Sequence, residues 1–361
     1  MRYFFIDGDL KVSYKQLVVD INEKNSVDGI YGKLLNILTT LCGDLVFNTV
    51  DDLLKYLTSN SKDLSIKVHT SGTTGEPKEI IQRFSNVIRY VKETSGDYVW
   101  GFAYNPLHFA GLQVLFQAVL NKNTLVFVFN KDFKDIPTLL ETHGVTHISC
   151  TPTFMKMLIP HMYEIDTLQS VSFGGERLSE KILDKTKSIL PKVKIRNIYA
   201  SSEAGSVLSS NDNGFYIPQR YVEYVKIIDS QLCIHKTLLG NFKLEGDWYH
   251  TGDYVKYIDG THFKFDSRSS EVVNTGGYKV SLPKIERVID NIVGVNNVVV
   301  YGRKNSIVGT IIVAEIVSEG DTNTIRELIK TTPELSDYER PKVIKFVDSL
   351  SLTNTGKVKR I

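Results

Sequence analysis

Long apolar runs are missing from this chain, and none approaches the roughly 18 consecutive apolar residues that a bilayer-spanning helix needs. Cysteine is scarce: Cys42, Cys150 and Cys233 lie far apart in unrelated contexts. An odd, sparse set argues against a disulfide framework or a zinc site and for a reducing compartment. No charge of one sign dominates, because 43 Lys+Arg face 41 Asp+Glu for a net charge of +2. That removes the electrostatic case for nucleic acid or an anionic membrane as the main partner. The opening MRYFFIDGDLKVSYKQL turns polar within a few residues and lacks the apolar core of a signal peptide. Internal repeats, low-complexity tracts and long charge runs are absent too. The expectation is a soluble, cytoplasmic protein whose oligomeric state the sequence leaves open.

What is present is an ordinary globular composition. The 361 residues are 42% apolar and 23% charged, enough for two or three domains with proper cores. Short apolar runs such as TLVFVF (124–129) and THISCT (146–151) alternate with helical patterns such as IPTLLETHG (136–144) and SEKILDKTKSIL (179–190). This alternation predicts an α/β fold with a mostly parallel sheet and helices on both faces. From about 215 to 266 the pattern changes to short alternating strands, read as an antiparallel β layer. A smaller α+β unit follows. The expected division is 1–266 for a large N-terminal domain and 267–361 for a small C-terminal one.

The most informative stretch is Val68–Lys78, VHTSGTTGEPK. Thr70, Ser71, Thr73 and Thr74 supply hydroxyls, Gly72 and Gly75 let backbone amides approach a ligand, and Lys78 adds a point charge suited to a phosphate oxygen. LSIKVHT before it reads as a strand and NVIRYVKETSG after it as a helix, which predicts a strand-to-helix turn. It is not a Walker A loop, because Pro77 stands where that motif needs its second Gly. Taken alone, the same residues suit a surface turn.

Other motifs have the same two-sided character. NIYASSE, Asn197–Glu203, offers an aromatic, two hydroxyls and a carboxylate for a base, a phosphate and magnesium, or else a loop with a solvated Glu. WYHTGD ends on Asp253, suited to ribose hydroxyls or to capping its own turn. Arg268 lies where two domains would meet, as a ligand contact or an ion-pair partner. TNTGK ends on Lys357, which is either a tail lysine or one delivered to a charged intermediate by a moving domain.

Together these motifs resemble the adenylate-forming superfamily of AMP-binding acyl- and aryl-CoA synthetases, luciferase and peptide-synthetase adenylation domains. The family's T-S-G-T-T-G-x-P-K is matched from Thr70 to Lys78. Its N-x-Y-G-x-T-E appears as NIYASSE, with Ala200 for Gly and Ser202 for Thr. Its W-x-x-T-G-D appears as WYHTGD, its hinge motif as SRSSEVVNTGG, and its C-terminal motif as YERPK…SLTNTGKVKR. The resemblance covers about residues 65–361.

It implies a large domain of mixed, mostly parallel sheets with a β layer, then a small mobile C-terminal domain carrying the catalytic lysine. It further implies that Thr70, Ser71, Gly72, Thr73, Thr74, Gly75 and Lys78 cradle the β- and γ-phosphates of ATP. Tyr199 would stack on adenine, with Asn197 behind it and Gly174-Gly175-Glu176 lining the other side. Ser202 would touch the α-phosphate and Glu203 would hold Mg²⁺. Asp253 and Arg268 would bind ribose, and Lys357 would bridge the substrate carboxylate and the α-phosphate. His108, in the segment NPLHFAGL, would border and could gate the acyl pocket with Gly174 and Ala200, or, as a lone His among apolar residues, pack in the core, while Gly276 and Gly277 would wall a pantetheine channel. A thiol, either coenzyme A or the phosphopantetheine of an acyl carrier protein, would take the acyl group.

Departures from the pattern bear mainly on the second half-reaction. Only 67 residues precede the loop stretch, implying a reduced N-terminal subdomain and a compact form like the o-succinylbenzoate–CoA ligases. Ser270 stands at the usual hinge Asp or Lys, and Asn274 replaces a common Lys. Near the acyl pocket, Leu107-His108 has no carboxylate to pair a substrate ammonium, whose burial without a counter-charge is costly. The expected substrate is therefore an acyl or aryl acid. An amino-acid-adenylating enzyme and a non-catalytic nucleotide-binding homologue are the alternatives.

Overall fold

The structure is a computed structural model describing residues 2–70, 78–94, 96–240, 244–305, 309–351, 358 and 360. Its largest element is an eight-stranded sheet. The spatial order is Gly205–Ser210, Lys194–Ser201, Ser170–Gly174, His147–Cys150, Val99–Phe102, Thr124–Phe127, Tyr3–Asp7 and Leu10–Ser13. The six inner strands are parallel, and an antiparallel hairpin partner closes each edge. This is the mostly parallel sheet that the alternation predicts.

Side chains along these strands divide by a period of two. Phe5, Phe102, Leu125 and Phe127 join one buried cluster, while Ile6, Ala103, Val126 and Val128 join another on the opposite face. Helices Tyr14–Glu23, Gly29–Cys42, Val50–Ser59 and Phe109–Leu120 cover the first cluster. Helices Ile136–Thr142, Pro152–Leu158 and Glu180–Ile189 cover the second. Local signals set these helices. Thr49 and Asp52 form a capping box at the start of Val50–Ser59, and Ser179 accepts from Ile182 N at 3.3 Å to open Glu180–Ile189. Strand order reverses between Val99–Phe102 and His147–Cys150, and open α/β sheets take ligands at the carboxyl ends of strands at such a switch point.

Contacts divide the chain into two compact units, Met1–Tyr224 with Ile234–Tyr249, and Val225–Cys233 with His250–Ile361. The expected division at 266/267 falls within the strand Phe263–Arg268. A four-stranded sheet orders Val225–Ile228, Gln231–His235, Trp248–Tyr257 and Phe263–Arg268 in sequence. In the second unit, helices Leu282–Asp290 and Thr322–Thr331 pack on a sheet of Val295–Asn305, Gly309–Ser318 and Val343–Phe346. No helix among the described residues is long and apolar enough to cross a membrane.

One expectation is overturned. The strand Ser65–Thr70 pairs antiparallel with Lys78–Arg83, so the chain continues from Lys78 as a strand and not as a helix. NVIRYVKETSG is not helical beyond Val87. The Gln117 side chain accepts from Lys92 N at 3.0 Å and donates to Lys92 O at 3.0 Å, satisfying that backbone without a helix.

His147 packs at a tilt against Tyr98 and Trp100, with ring centroids 4.2 and 4.8 Å away. Burial, with Arg196 adding to it, lowers its pKa from 6.5 to about 4. The folded protein thus resists protonating a ring that the unfolded chain protonates readily. His147 stability is present above pH 6.5 and is lost as pH falls toward 4. His147→Phe should flatten the decline of the melting temperature across that window. An unchanged acid profile would contradict the assignment.

Candidate active site

The carboxyl ends of the parallel strands bring several predicted residues to one edge. Gly174 ends its strand in register with Ile198, and a Cβ at Gly174 would lie 3.6 Å from the Tyr104 hydroxyl. Tyr104 is buried, and burial, with the Glu176 carboxylate adding to it, pushes its phenol well above the usual range. It therefore remains a neutral phenol beside Ser149 and Gly174. Gly175 turns the chain so that Glu176 reaches back to accept from Thr153 N at 3.0 Å. Thr151 accepts from Phe154 N at 3.0 Å, so these two residues cap the helix Pro152–Leu158 together. Glu176 thus has a backbone-holding role that the motif did not reveal.

The strand Lys194–Ser201 carries the next group. Asn197 is buried and donates to Asp212 O at 3.2 Å and Asn213 Oδ1 at 3.1 Å, which fastens the following loop. Tyr199 is half-buried opposite Leu208, and Ala200 lies opposite Ser206. The chain then turns: Ser201 Oγ accepts from Ala204 N at 3.1 Å. Ser202 and Glu203 sit in this turn, half-buried. Their carbonyls are taken by the side chain of Gln82, and the Glu203 carbonyl also accepts from Gly240 N at 2.8 Å. Among the described residues, the Glu203 carboxylate itself has no hydrogen-bond or ion-pair partner. A hard, unengaged oxygen donor on a fixed backbone suits Mg²⁺.

His108 is the N-cap of the helix Phe109–Leu120 and makes no side-chain cap bond there. Asn105 Oδ1 accepts from Leu107 N at 3.0 Å, shaping the turn before it. Gly111 lets this turn lie against the helix, since a Cβ would fall 2.3 Å from Asn105 O.

In the second unit, Asp253 and Arg268 face each other in strand register and form an ion pair, with a second bond from Arg268 Nη2 to Asp253 Oδ2 at 3.1 Å. Asp253 is 5% exposed, and its backbone N–H donates to Thr251 Oγ1 at 3.1 Å. Gly276 and Gly277, both at positive φ, close the hairpin between Val272–Thr275 and Tyr278–Ser281. Ser71, Gly72, Thr73, Thr74, Gly75 and Lys357 lie outside the described residues, as do the side chains of Thr70 and Lys78. Arg360, three positions beyond Lys357, was not singled out from sequence. It donates to Glu271 at 2.7 Å and to both Glu286 oxygens at 3.1 Å. Burial raises the pKa of Glu286, while Arg360 pulls it down. Arg360 is thereby tied to the segment that follows Arg268.

The model of the AMP-binding enzyme family matches residues 22–226, and that of the AMP-binding enzyme C-terminal domain matches 284–357. The chain belongs to the AMP-binding enzyme family. It is 26% identical over 333 residues to a 2-succinylbenzoate–CoA ligase of Staphylococcus aureus, covering 83% of this chain and 67% of that protein. It is 23% identical over 347 residues to an uncharacterized acyl–CoA ligase of Bacillus subtilis, covering 83% and 65%. The chain thus spans about two thirds of the length of these curated relatives. Its fold matches the o-succinylbenzoate CoA synthetase of Bacillus subtilis in complex with an acyl-adenylate intermediate. The TM-score is 0.73 at 16% identity, over 100% of this chain and 94% of that one. The same synthetase has been solved with ATP and a magnesium ion. These likenesses bear out the resemblance that the motifs carry and the two-part α/β fold.

Gly111→Ala should destabilise the fold by about 1–3 kcal/mol, because the new methyl displaces the Asn105 turn. Denaturant unfolding measures this, and a stability equal to wild type would contradict the close approach.

Proposed function

We propose that the chain is an ATP-dependent, AMP-forming acid–thiol ligase acting on an acyl or aryl carboxylic acid. The observation that carries this reading is the Glu203 carboxylate, unengaged among the described residues, on a turn whose carbonyls are fastened at the carboxyl edge of the parallel sheet. In the first half-reaction a substrate carboxylate oxygen attacks the α-phosphorus of ATP. The bond to the bridging oxygen breaks, and pyrophosphate leaves. In the second, a thiolate attacks the acyl carbon and AMP departs with the electron pair of the broken C–O bond.

The roles of the chain's residues follow from where charge gathers. Attack brings two anions together, so donors must be in place before it happens. Thr70, Ser71, Thr73, Thr74 and Lys78 would hold the β- and γ-phosphates. Ser202 would hold the α-phosphate, and Lys357 would span it and the incoming carboxylate. Glu203 is the residue to hold magnesium, which when bound supplies positive charge against the phosphate oxygens. Tyr199 would stack on adenine beside Gly174 and Gly175, and Asp253 would accept ribose hydroxyls with Arg268 holding its carboxylate in orientation. His108 and Ala200 would border the acid. Gly276 and Gly277 would line the thiol's path, with Ser270 at the hinge position. Coenzyme A is the favoured thiol because the relatives are named CoA ligases.

Incubation with ATP, Mg²⁺, coenzyme A and a panel of acids should yield AMP and one thioester, both visible by mass spectrometry. Lys357→Ala should abolish adenylate formation yet leave thiolysis of a supplied acyl-adenylate largely intact. Equal loss of both half-reactions in a folded variant would remove Lys357 from its role.

A further inference from the structure

The turn that carries Ser202 and Glu203 presents three successive carbonyls, and all three are bound by side chains from one short segment, 82–89. Gln82 is fully buried. Its Nε2 donates to Ser202 O and, at 2.8 Å, to Glu203 O. Its Oε1 accepts from Asn86 Nδ2 at 3.1 Å, and that nitrogen also donates to Leu239 O at 3.1 Å. Asn86 Oδ1 accepts from Arg89 Nη2 at 2.6 Å. Arg89 then donates to Ala204 O at 3.0 Å and to Leu238 O at 2.8 Å. Burial lowers the Arg89 pKa, and its donors go to these neutral carbonyls and to the Asn86 amide oxygen. Gly240 completes the arrangement, because a Cβ there would lie 2.7 Å from Gln82 Cδ.

Gln82 lies on the strand Lys78–Arg83, which returns from the Gly/Ser/Thr stretch. One buried amide therefore ties that hairpin to the turn bearing the Mg²⁺ carboxylate. We infer that Gln82 is a positioning residue which sets the Ser202–Glu203 turn against the phosphate hairpin, with Asn86 and Arg89 holding Gln82 in its amide orientation. This rests on the ligase reading above. A buried amide whose two ends are both used has one rotamer, and its two donors meet two adjacent carbonyls, so the Glu203 Cα cannot drift relative to the hairpin.

Gln82→Met keeps the volume and removes both donors. Gly240→Ala leaves Gln82 in the sequence but pushes its amide off the carbonyls. Both should weaken Mn²⁺ binding to the enzyme–ATP complex by roughly tenfold, read by electron paramagnetic resonance. Both should lower kcat for adenylation with little change in the KM for the acid. A merely structural Gln82 would lower the melting temperature and leave Mn²⁺ affinity and kcat per folded molecule as in wild type, and that result in either folded variant overturns the inference. Wild-type protein that binds ATP but adenylates no acid would instead defeat the ligase reading, so the two failures are distinct.

Discussion

Backbone carbonyls that leave the end of a parallel strand need partners before any side chain there can be held still. At Ser202–Ala204 those partners are Gln82, Arg89 and the Gly240 amide, and no bond of the set uses the Glu203 carboxylate. The division of labour is physical. The backbone is fixed by the Gln82 amide, the Arg89 guanidinium and the Gly240 N–H, and among the described residues the Glu203 carboxylate takes no part in that fixing. Had Glu203 been paired with a nearby lysine or arginine, its affinity for a metal would be spent inside the fold.

The same logic recurs along the sheet edge and in the second unit. Gly174 and the neutral Tyr104 define an uncharged wall, while Glu176 serves the helix Pro152–Leu158. Asp253 is oriented by Arg268 from the paired strand, a bidentate arrangement that fixes a carboxylate more firmly than a single bond. Arg360 itself pairs with Glu271 and Glu286.

Part of this was legible in the sequence. The α/β alternation, the antiparallel layer and the small C-terminal unit follow from hydrophobic period, and the AMP-binding assignment follows from co-linear motifs of rare composition. The hairpin at 65–83 was misread because NVIRYVKETSG has a helical period. Its backbone is instead bound by Gln117 and Asn121 from a helix about 25 residues away in sequence, a partnership no local pattern announces. Gln82 is a lone glutamine between Ile81 and Arg83, and nothing local marks it as buried. The family resemblance gives Glu176 as lining the adenine side, yet its bond to Thr153 N depends on where an adjacent strand ends.

The central claim is that this edge activates a carboxylate as an adenylate. Acid-dependent exchange of labelled pyrophosphate into ATP tests it most directly, because it needs neither the thiol nor the second half-reaction. The account predicts exchange with an acyl or aryl acid in the presence of Mg²⁺, abolished by chelation. Absence of exchange with aryl, dicarboxylic, fatty and amino acids alike, in protein that still binds ATP, would contradict it.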